Sequence, residues 1–160
     1  MRPEPSSPLD PRAVTVWRLS AALGDVVPSL IAIVVAALLA YFDIVPWTIV
    51  GAVFAIGAAV SLLFVVVVPS LRYRRWRYEV TDDEIDLREG VIIVKRTLIP
   101  LVRVQHVDTH QGPIMRAFGL AGVNVATAAG AHEIPALSVE GADALRDRIS
   151  ALARVAEDDV

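Results

Sequence analysis

Residues Ile44–Leu71 read IVPWTIVGAVFAIGAAVSLLFVVVVPSL, a run of 28 residues without a charged side chain. A helix needs about 20 mostly apolar residues to cross a bilayer, because the hydrocarbon core is about 30 Å thick and each residue rises about 1.5 Å. Core helices of soluble proteins rarely extend so far without a charge. This stretch therefore predicts a membrane-spanning helix.

A second apolar run precedes it. Val26–Phe42 has 17 uncharged residues, and it reaches a full span if Leu19–Gly24 join it and Asp25 lies near the headgroups. Pro28 is then expected in the first turn of this helix, where its missing N–H costs little. Residues 26–71 are thus expected to form a two-helix transmembrane hairpin.

The charges around the hairpin predict its orientation. Asp43 and Pro46 interrupt the short connection between the two runs, so the helices must be antiparallel. The connection has no Lys or Arg, whereas Arg12 and Arg18 precede the first helix and an arginine cluster follows the second: Arg72, Arg74, Arg75 and Arg77. Because positive residues favour the cytoplasmic side, we expect a multi-pass protein of the cytoplasmic (inner) membrane with both termini in the cytoplasm.

Residues 1–25 are expected to be a cytoplasmic N-terminal segment. Within it, residues 9–24 resemble a short interfacial helix, with Asp10 as its cap and Pro11 at its first position. The simpler alternative is that these residues are the cytoplasmic end of the first membrane helix.

After the arginine cluster the pattern becomes strand-like. Alternating and β-branched segments predict short strands, and 141–155 has the apolar spacing of an amphipathic helix. The expected strands are 76–80, 84–88, 91–99, 104–110, 123–128 and 132–137, with one helical turn at 113–118. The sequence therefore predicts a mainly-β cytoplasmic domain over residues 72–157, a small barrel or sandwich closed by a C-terminal helix, and then an acidic tail.

Three motifs resemble the bacterial pleckstrin-homology (PH) domain family of YdbS-like membrane proteins. They are RYEVTDDEI at 77–85, IPLVRVQHV at 99–107 and QGPIMRAFGL at 111–120. The resemblance implies a PH-like fold, a strongly bent β-barrel with a C-terminal helix, and no known catalysis. It also implies a partner, often a longer membrane protein with several copies of this domain. The basic motif that binds phosphoinositides in eukaryotic relatives of the fold has no counterpart here.

Composition and motifs argue against several classes of function. A net charge of −3 argues against nucleic acid as a partner, and the absence of cysteine excludes disulfides, thiolate metal sites and cysteine nucleophiles. His106, Asp108 and His110 share one face of a predicted strand, but no further metal ligand is evident. No serine lies in a Gly-x-Ser-x-Gly turn. We therefore expect neither an enzyme nor a bound cofactor.

Three groups of residues are candidates for binding. The arginine cluster, with Tyr73 and Trp76 between its members, is a topology anchor that also suits anionic headgroups. The turn containing Ile114, Met115, Arg116 and Phe118 either packs inward or presents a partner surface. Gly51, Ala55 and Ala59 are spaced for close helix packing, although small residues are common in membrane helices.

Two functions remain open. One is a membrane-anchored scaffold or assembly subunit that binds another membrane protein with PH-like domains, or copies of itself. The other is a module that senses anionic lipid beside the bilayer.

Overall fold

The computed structural model describes residues 4–158. Within that range the chain forms two compact units. One comprises residues 17–70, and the other combines residues 4–16 with residues 71–158. The start of the expected N-terminal segment (residues 1–3) and the end of the expected acidic tail (Asp159 and Val160) lie outside the described residues.

Two apolar helical stretches of 29 residues each confirm the predicted pair of long helices. Helix α1 is Ala13–Tyr41. The second stretch, Trp47–Arg75, consists of α2 (Trp47–Leu62), a π-helical turn (Leu63–Val67) and α3 (Val68–Arg75). At about 1.5 Å per residue, each stretch is about 43 Å long and exceeds the hydrocarbon core. Both are therefore long and apolar enough to cross a membrane.

Helix α1 begins earlier than the apolar run suggested. The backbone N–H of Arg12 donates to Asp10 Oδ1 at 2.9 Å, so Asp10 caps the turn that leads into Ala13. Residues 13–24 consequently belong to the same continuous helix as the apolar run. Pro28 lies inside α1 and not in its first turn, because the helix starts at Ala13.

The second unit contains six strands in two antiparallel sheets. The sheets have the orders β1-β2-β3 and β4-β5-β6. The strand bounds are β1 Arg77–Val80, β2 Glu84–Glu89, β3 Lys95–Pro100, β4 Val104–His110, β5 Leu120–Thr127 and β6 Gly130–Ser138. A 3-10 turn (Leu101–Arg103) joins the sheets, α4 (Pro113–Ala117) precedes β5, and α5 (Val139–Asp158) ends the described chain. This architecture confirms the expected PH-like barrel with a C-terminal helix.

Strand β3 starts four residues later than its β-branched sequence predicted. Gly90 has φ +113°, and a Cβ at this position would lie 1.9 Å from the carbonyl oxygen of Ile93. Only glycine accommodates that turn, so the chain folds back tightly after β2. Val91–Val94 form the loop, and pairing with β2 resumes at Lys95.

The N-terminal segment completes the β unit. Ser7 forms two backbone hydrogen bonds of 3.0 Å with Tyr78, and the N–H of Asp10 donates to Ala136 O at 3.2 Å. Ala136 adopts φ +52°, which directs this part of β6 away from regular pairing. Three apolar residues of the segment are buried: Leu9, Ala13 and Val16.

Helix α5 closes the other side of this unit. Its residues Ala142 and Ile149 are fully buried, and the helix packs against β4, β5 and the 3-10 turn. Arg148 Nη2 donates to Val80 O at 2.9 Å, which ties α5 to the end of β1. Apolar burial on one helix face is the main stabilising term for such an element.

Candidate functional site

The arginine cluster does not form one uniform surface. Arg77 Nη1 donates to Trp76 O at 2.7 Å, and Arg75 Nη1 donates to Val91 O. Arg74 is exposed, and its side chain makes no hydrogen bond or ion pair with any residue between 4 and 158. Because three of the four end α3, their charge is favourable beside the helix carboxyl terminus. Arg74 is therefore the cluster member whose guanidinium is available to an external anion.

The two aromatic residues of the cluster lie in different surroundings. Tyr73 Oη donates to Leu9 O at 3.3 Å and is half-buried. Trp76, which the sequence placed beside headgroups, is only 1% exposed and belongs to the core of the β unit. Its ring centroid lies 6.2 Å from that of Tyr78, and burial raises the pKa of the Tyr78 hydroxyl.

A cavity of about 190 Å³ lies in the β unit beside Trp76. Its charged and ionisable lining residues are of both signs: Arg72, Lys95, His132, Glu89 and Glu133. The buried indole Nε1–H of Trp76 has no hydrogen-bond partner among the described residues. An unpaired buried donor costs free energy, so a water or a small polar group that accepts this hydrogen bond would be stabilising.

The histidines of β4 pair with carboxylates and not with each other. His106 Nε2 lies 3.7 Å from Asp108 Oδ2, and His110 Nε2 lies 3.1 Å from Glu133 Oε1. Gly122, on the strand between, makes the second contact possible, since a Cβ there would lie 2.5 Å from the His110 ring. Among residues 4–158, no group of three or more His, Asp or Glu side chains is arranged to hold a metal ion.

An ion pair crosses the first sheet. Asp86 is buried, and Arg96 reaches its two carboxylate oxygens, with Nη2 at 2.5 Å from Oδ2 and Nε at 3.0 Å from Oδ1. The hydrogen bond that Arg96 donates to Asp86 raises the pKa of the Arg96 guanidinium. In the sheet Asp86 is opposite Leu98, and Arg96 is opposite Arg88, so this ion pair joins β2 and β3 diagonally.

The turn at α4 is partly inside the β unit. Ile114, Met115 and Phe118 are half-buried, and Arg116 is exposed. Arg12 Nη1 donates to Phe118 O at 2.9 Å, which ties the turn to the N-terminal segment. The apolar members thus contribute to packing while retaining accessible surface.

The predicted small-residue face lies on α2. Gly51, Ala55 and Ala59 are all exposed, and a Cβ at Gly51 would meet nothing within 4 Å. Gly51 lines a hollow of about 210 Å³ with Ile33 and other apolar residues of α1 and α2. The structure therefore leaves this face accessible.

A polar contact inside the helical unit escaped the sequence analysis. Ser61 Oγ donates to Asp25 Oδ2 at 2.5 Å, and Ser29 Oγ donates to the same oxygen at 3.1 Å. Asp25 was expected only near the headgroups. The signal was the spacing of four between Asp25 and Ser29 together with Ser61, one of two serines in the second apolar run.

The model of the bacterial PH domain family matches residues 18–153 of the chain. The chain belongs to the bacterial PH domain family. This PH-domain protein is 46% identical over 162 residues to the UPF0699 transmembrane protein YdbS of Bacillus subtilis (strain 168), and the match covers 100% of both chains. It is also 29% identical over 99 residues to the UPF0699 transmembrane protein YdbT of the same strain, covering 59% of this chain and 20% of YdbT. No solved structure gives a significant match. The bacterial PH-domain protein is thus a membrane-associated PH-like protein.

Proposed function

We propose that this protein is a membrane-anchored scaffold or assembly subunit without catalytic activity, acting through protein–protein contacts at the cytoplasmic face of the cell membrane. The observation that carries the proposal is the outer edge of β3. That strand pairs with β2 on one side, and no strand within residues 4–158 pairs with its other side. An unpaired edge is a template for a strand of another chain.

Exposed apolar side chains accompany this edge. Leu98 on β3 is 43% exposed, and Val102, in the turn that follows, is 51% exposed. Backbone pairing supplies affinity in such contacts, and apolar side chains beside the edge supply specificity. Together they favour a protein partner over a small ligand.

The proposed topology has support from the β unit. Residues 4–16 precede the helical hairpin and residues 71–158 follow it, yet both contribute to one compact unit. Two segments that share a core must lie on the same side of a bilayer. The arginines after the second helix favour the cytoplasmic side, so we infer cytoplasmic termini and two passes.

The partner we propose is a longer membrane protein with PH-like domains, or a second copy of this chain. The match to one fifth of YdbT supports the first choice, because a similar sequence occurs there within a longer transmembrane protein. Domains of one family present similar edges, which suits pairing between like strands.

A second candidate is a lipid-sensing module, and Arg74 is the residue that favours it. Its exposed side chain, with no partner in the described chain, lies in the last turn of the helical stretch Trp47–Arg75. A basic residue near an anionic leaflet gains about 1 kcal/mol.

The test is affinity capture of tagged full-length protein from crosslinked native membranes, with proteins and lipids identified by mass spectrometry. We compare the wild type with Leu98→Asp, Arg74→Ala and Val155→Asp, the last being an exposed apolar position on α5 that serves as the matched control. A stoichiometric membrane protein that is lost with Leu98→Asp and kept with the other two variants supports the scaffold. Protein recovered alone, with an anionic lipid whose enrichment Arg74→Ala abolishes, overturns the scaffold in favour of lipid sensing.

A further inference from the structure

The loop between β2 and β3, Val91–Val94, presents apolar side chains to the exterior of the β unit. Ile92 is 94% exposed and Ile93 is 84% exposed. By contrast, the adjoining strands bury apolar side chains in the core of the β unit, among them Leu87 of β2 and Ile99 of β3. We call Val91–Val94 the apolar loop. Single exposed apolar residues are common on proteins, but three consecutive ones (Ile92, Ile93 and Val94) at a loop tip mark a contact surface.

The shape of the apolar loop is held by specific backbone interactions. Gly90 makes the tight turn that begins it, and Arg75 Nη1 donates to the carbonyl of Val91 at its base. Ile92 and Ile93 therefore project from a fixed turn. A preformed apolar tip loses little conformational freedom when it is buried by another surface.

The position of Arg75, which holds the loop, indicates that the surface in question is the lipid bilayer. Arg75 is the last residue of the helical stretch Trp47–Arg75, which is long and apolar enough to cross a membrane. Basic residues at the end of such a helix lie at the level of the lipid headgroups. Arg75 forms a direct hydrogen bond with Val91. The tip residues Ile92 and Ile93 follow immediately and are therefore within reach of the boundary between headgroups and acyl chains.

The charges beside the apolar loop suit an anionic leaflet. Arg88 is paired with Glu4, and Arg96 is paired with Asp86. Lys95, the residue after the loop, is exposed, and its side chain makes no ion pair or hydrogen bond within the described part of the chain. Lys95 and Arg74 are thus available to bind headgroup phosphates, while the apolar side chains of the loop can lie deeper in the bilayer. Segments that bind at a membrane interface have this arrangement.

We propose that the apolar loop inserts Ile92 and Ile93 into the headgroup–acyl boundary of the bilayer that holds the hairpin. The β unit then has a second membrane contact, separate from its covalent connection to the helices. This contact fixes which side of the β unit faces the membrane and leaves the β3 residues that follow the loop to other partners. It does not depend on the scaffold function.

The natural absence of cysteine makes this contact directly measurable. Full-length Ile93→Cys and Asp82→Cys proteins are each labelled with an environment-sensitive fluorophore and reconstituted into vesicles of phosphatidylethanolamine and phosphatidylglycerol. Asp82 is the matched control, because it is exposed in the β1–β2 turn at the opposite end of β2, about 20 Å from the loop at about 3.3 Å per residue. Both sites are exposed, so neither label disturbs the core.

Lipids brominated on their acyl chains should quench the probe at position 93 several-fold more than the probe at position 82. Aqueous iodide should show the reverse order. Equal iodide quenching at the two positions would place the loop in water and overturn the proposal. A probe at position 93 that is shielded from both quenchers would also overturn it, because the loop would then be covered by protein.

Discussion

Ser61 Oγ donates a hydrogen bond to Asp25 Oδ2 at 2.5 Å and so joins α2 to α1 within a mainly apolar unit. Ser29 donates to the same oxygen from one turn further along α1. Carboxylates inside membrane helices are rare and are normally paired, because an unpaired polar group in hydrocarbon is costly. This contact fixes the register of the two helices.

Replacing Asp25 should therefore loosen the helical unit. We expect Asp25→Ala to lower the free energy of unfolding by about 1 kcal/mol, the usual size of an interhelical hydrogen bond in membranes. Ser61→Ala should have a similar effect, and combining it with Asp25→Ala should add little, since both remove the same bond. The measurement is unfolding of the full chain in mixed detergent. Asp43→Asn at the exposed tip is the control, and additive losses for Asp25→Ala and Ser61→Ala would contradict a shared contact.

Gly90 should be the least replaceable of the glycines in the β unit. An alanine Cβ would lie 1.9 Å from a backbone oxygen, and the φ of +113° is unfavourable for any L side chain. We expect Gly90→Ala to destabilise the β unit by about 1–3 kcal/mol, the range for a strained backbone conformation. Thermal unfolding of the purified full chain measures it. The matched control is Gly112→Ala, where φ is −78° and a Cβ meets nothing within 4 Å, and equal losses in the two variants would refute the steric explanation.

Acid should weaken the start of α1 through Asp10. The hydrogen bond from the Arg12 side chain holds the pKa of Asp10 below its ordinary value of 3.8, against the opposing effect of burial. A carboxyl whose folded pKa is depressed contributes stability that is present above the unfolded pKa and is lost as pH falls through the folded pKa. Asp10→Asn should therefore be less stable than the wild type at neutral pH, and the gap should close below about pH 4.

Thermal midpoints of the two proteins across that pH range test this prediction. Asp82→Asn, in an exposed turn, is the control and should show no such convergence. If the difference in thermal midpoint between wild type and Asp10→Asn stays constant from neutral to acid pH, the loss of stability comes from the cap geometry and not from the charge.

The hairpin and most strands were predictable because their signals are local. A charge-free run as long as Ile44–Leu71 has few alternatives, and β4 has the bounds that its alternation predicted. Strand β3 was predicted to start four residues too early, since β-branched Val91–Val94 look like a strand unless the turn at Gly90 is known. Side-chain propensity was overridden there by backbone geometry.

The candidate site was less predictable because its contacts join distant parts of the chain. Trp76 lies between arginines in the sequence, which suggests an interface, yet the β unit buries it. The pairing of His110 with Glu133 depends on Gly122 on the strand between them. Such relationships depend on which strands are neighbours and in which register, and the local pattern within a single strand does not show this.

The discontinuous core of the β unit has a consequence for biosynthesis. Leu9, Ala13 and Val16 leave the ribosome before the hairpin, whereas Ile134 and Ile149 of the same unit are made last. The N-terminal residues must therefore remain without their packing partners while both helices and the strands are translated. Folding of this unit is completed only after Ile149 has been translated, and a fragment that starts after the hairpin would lack part of its own interior.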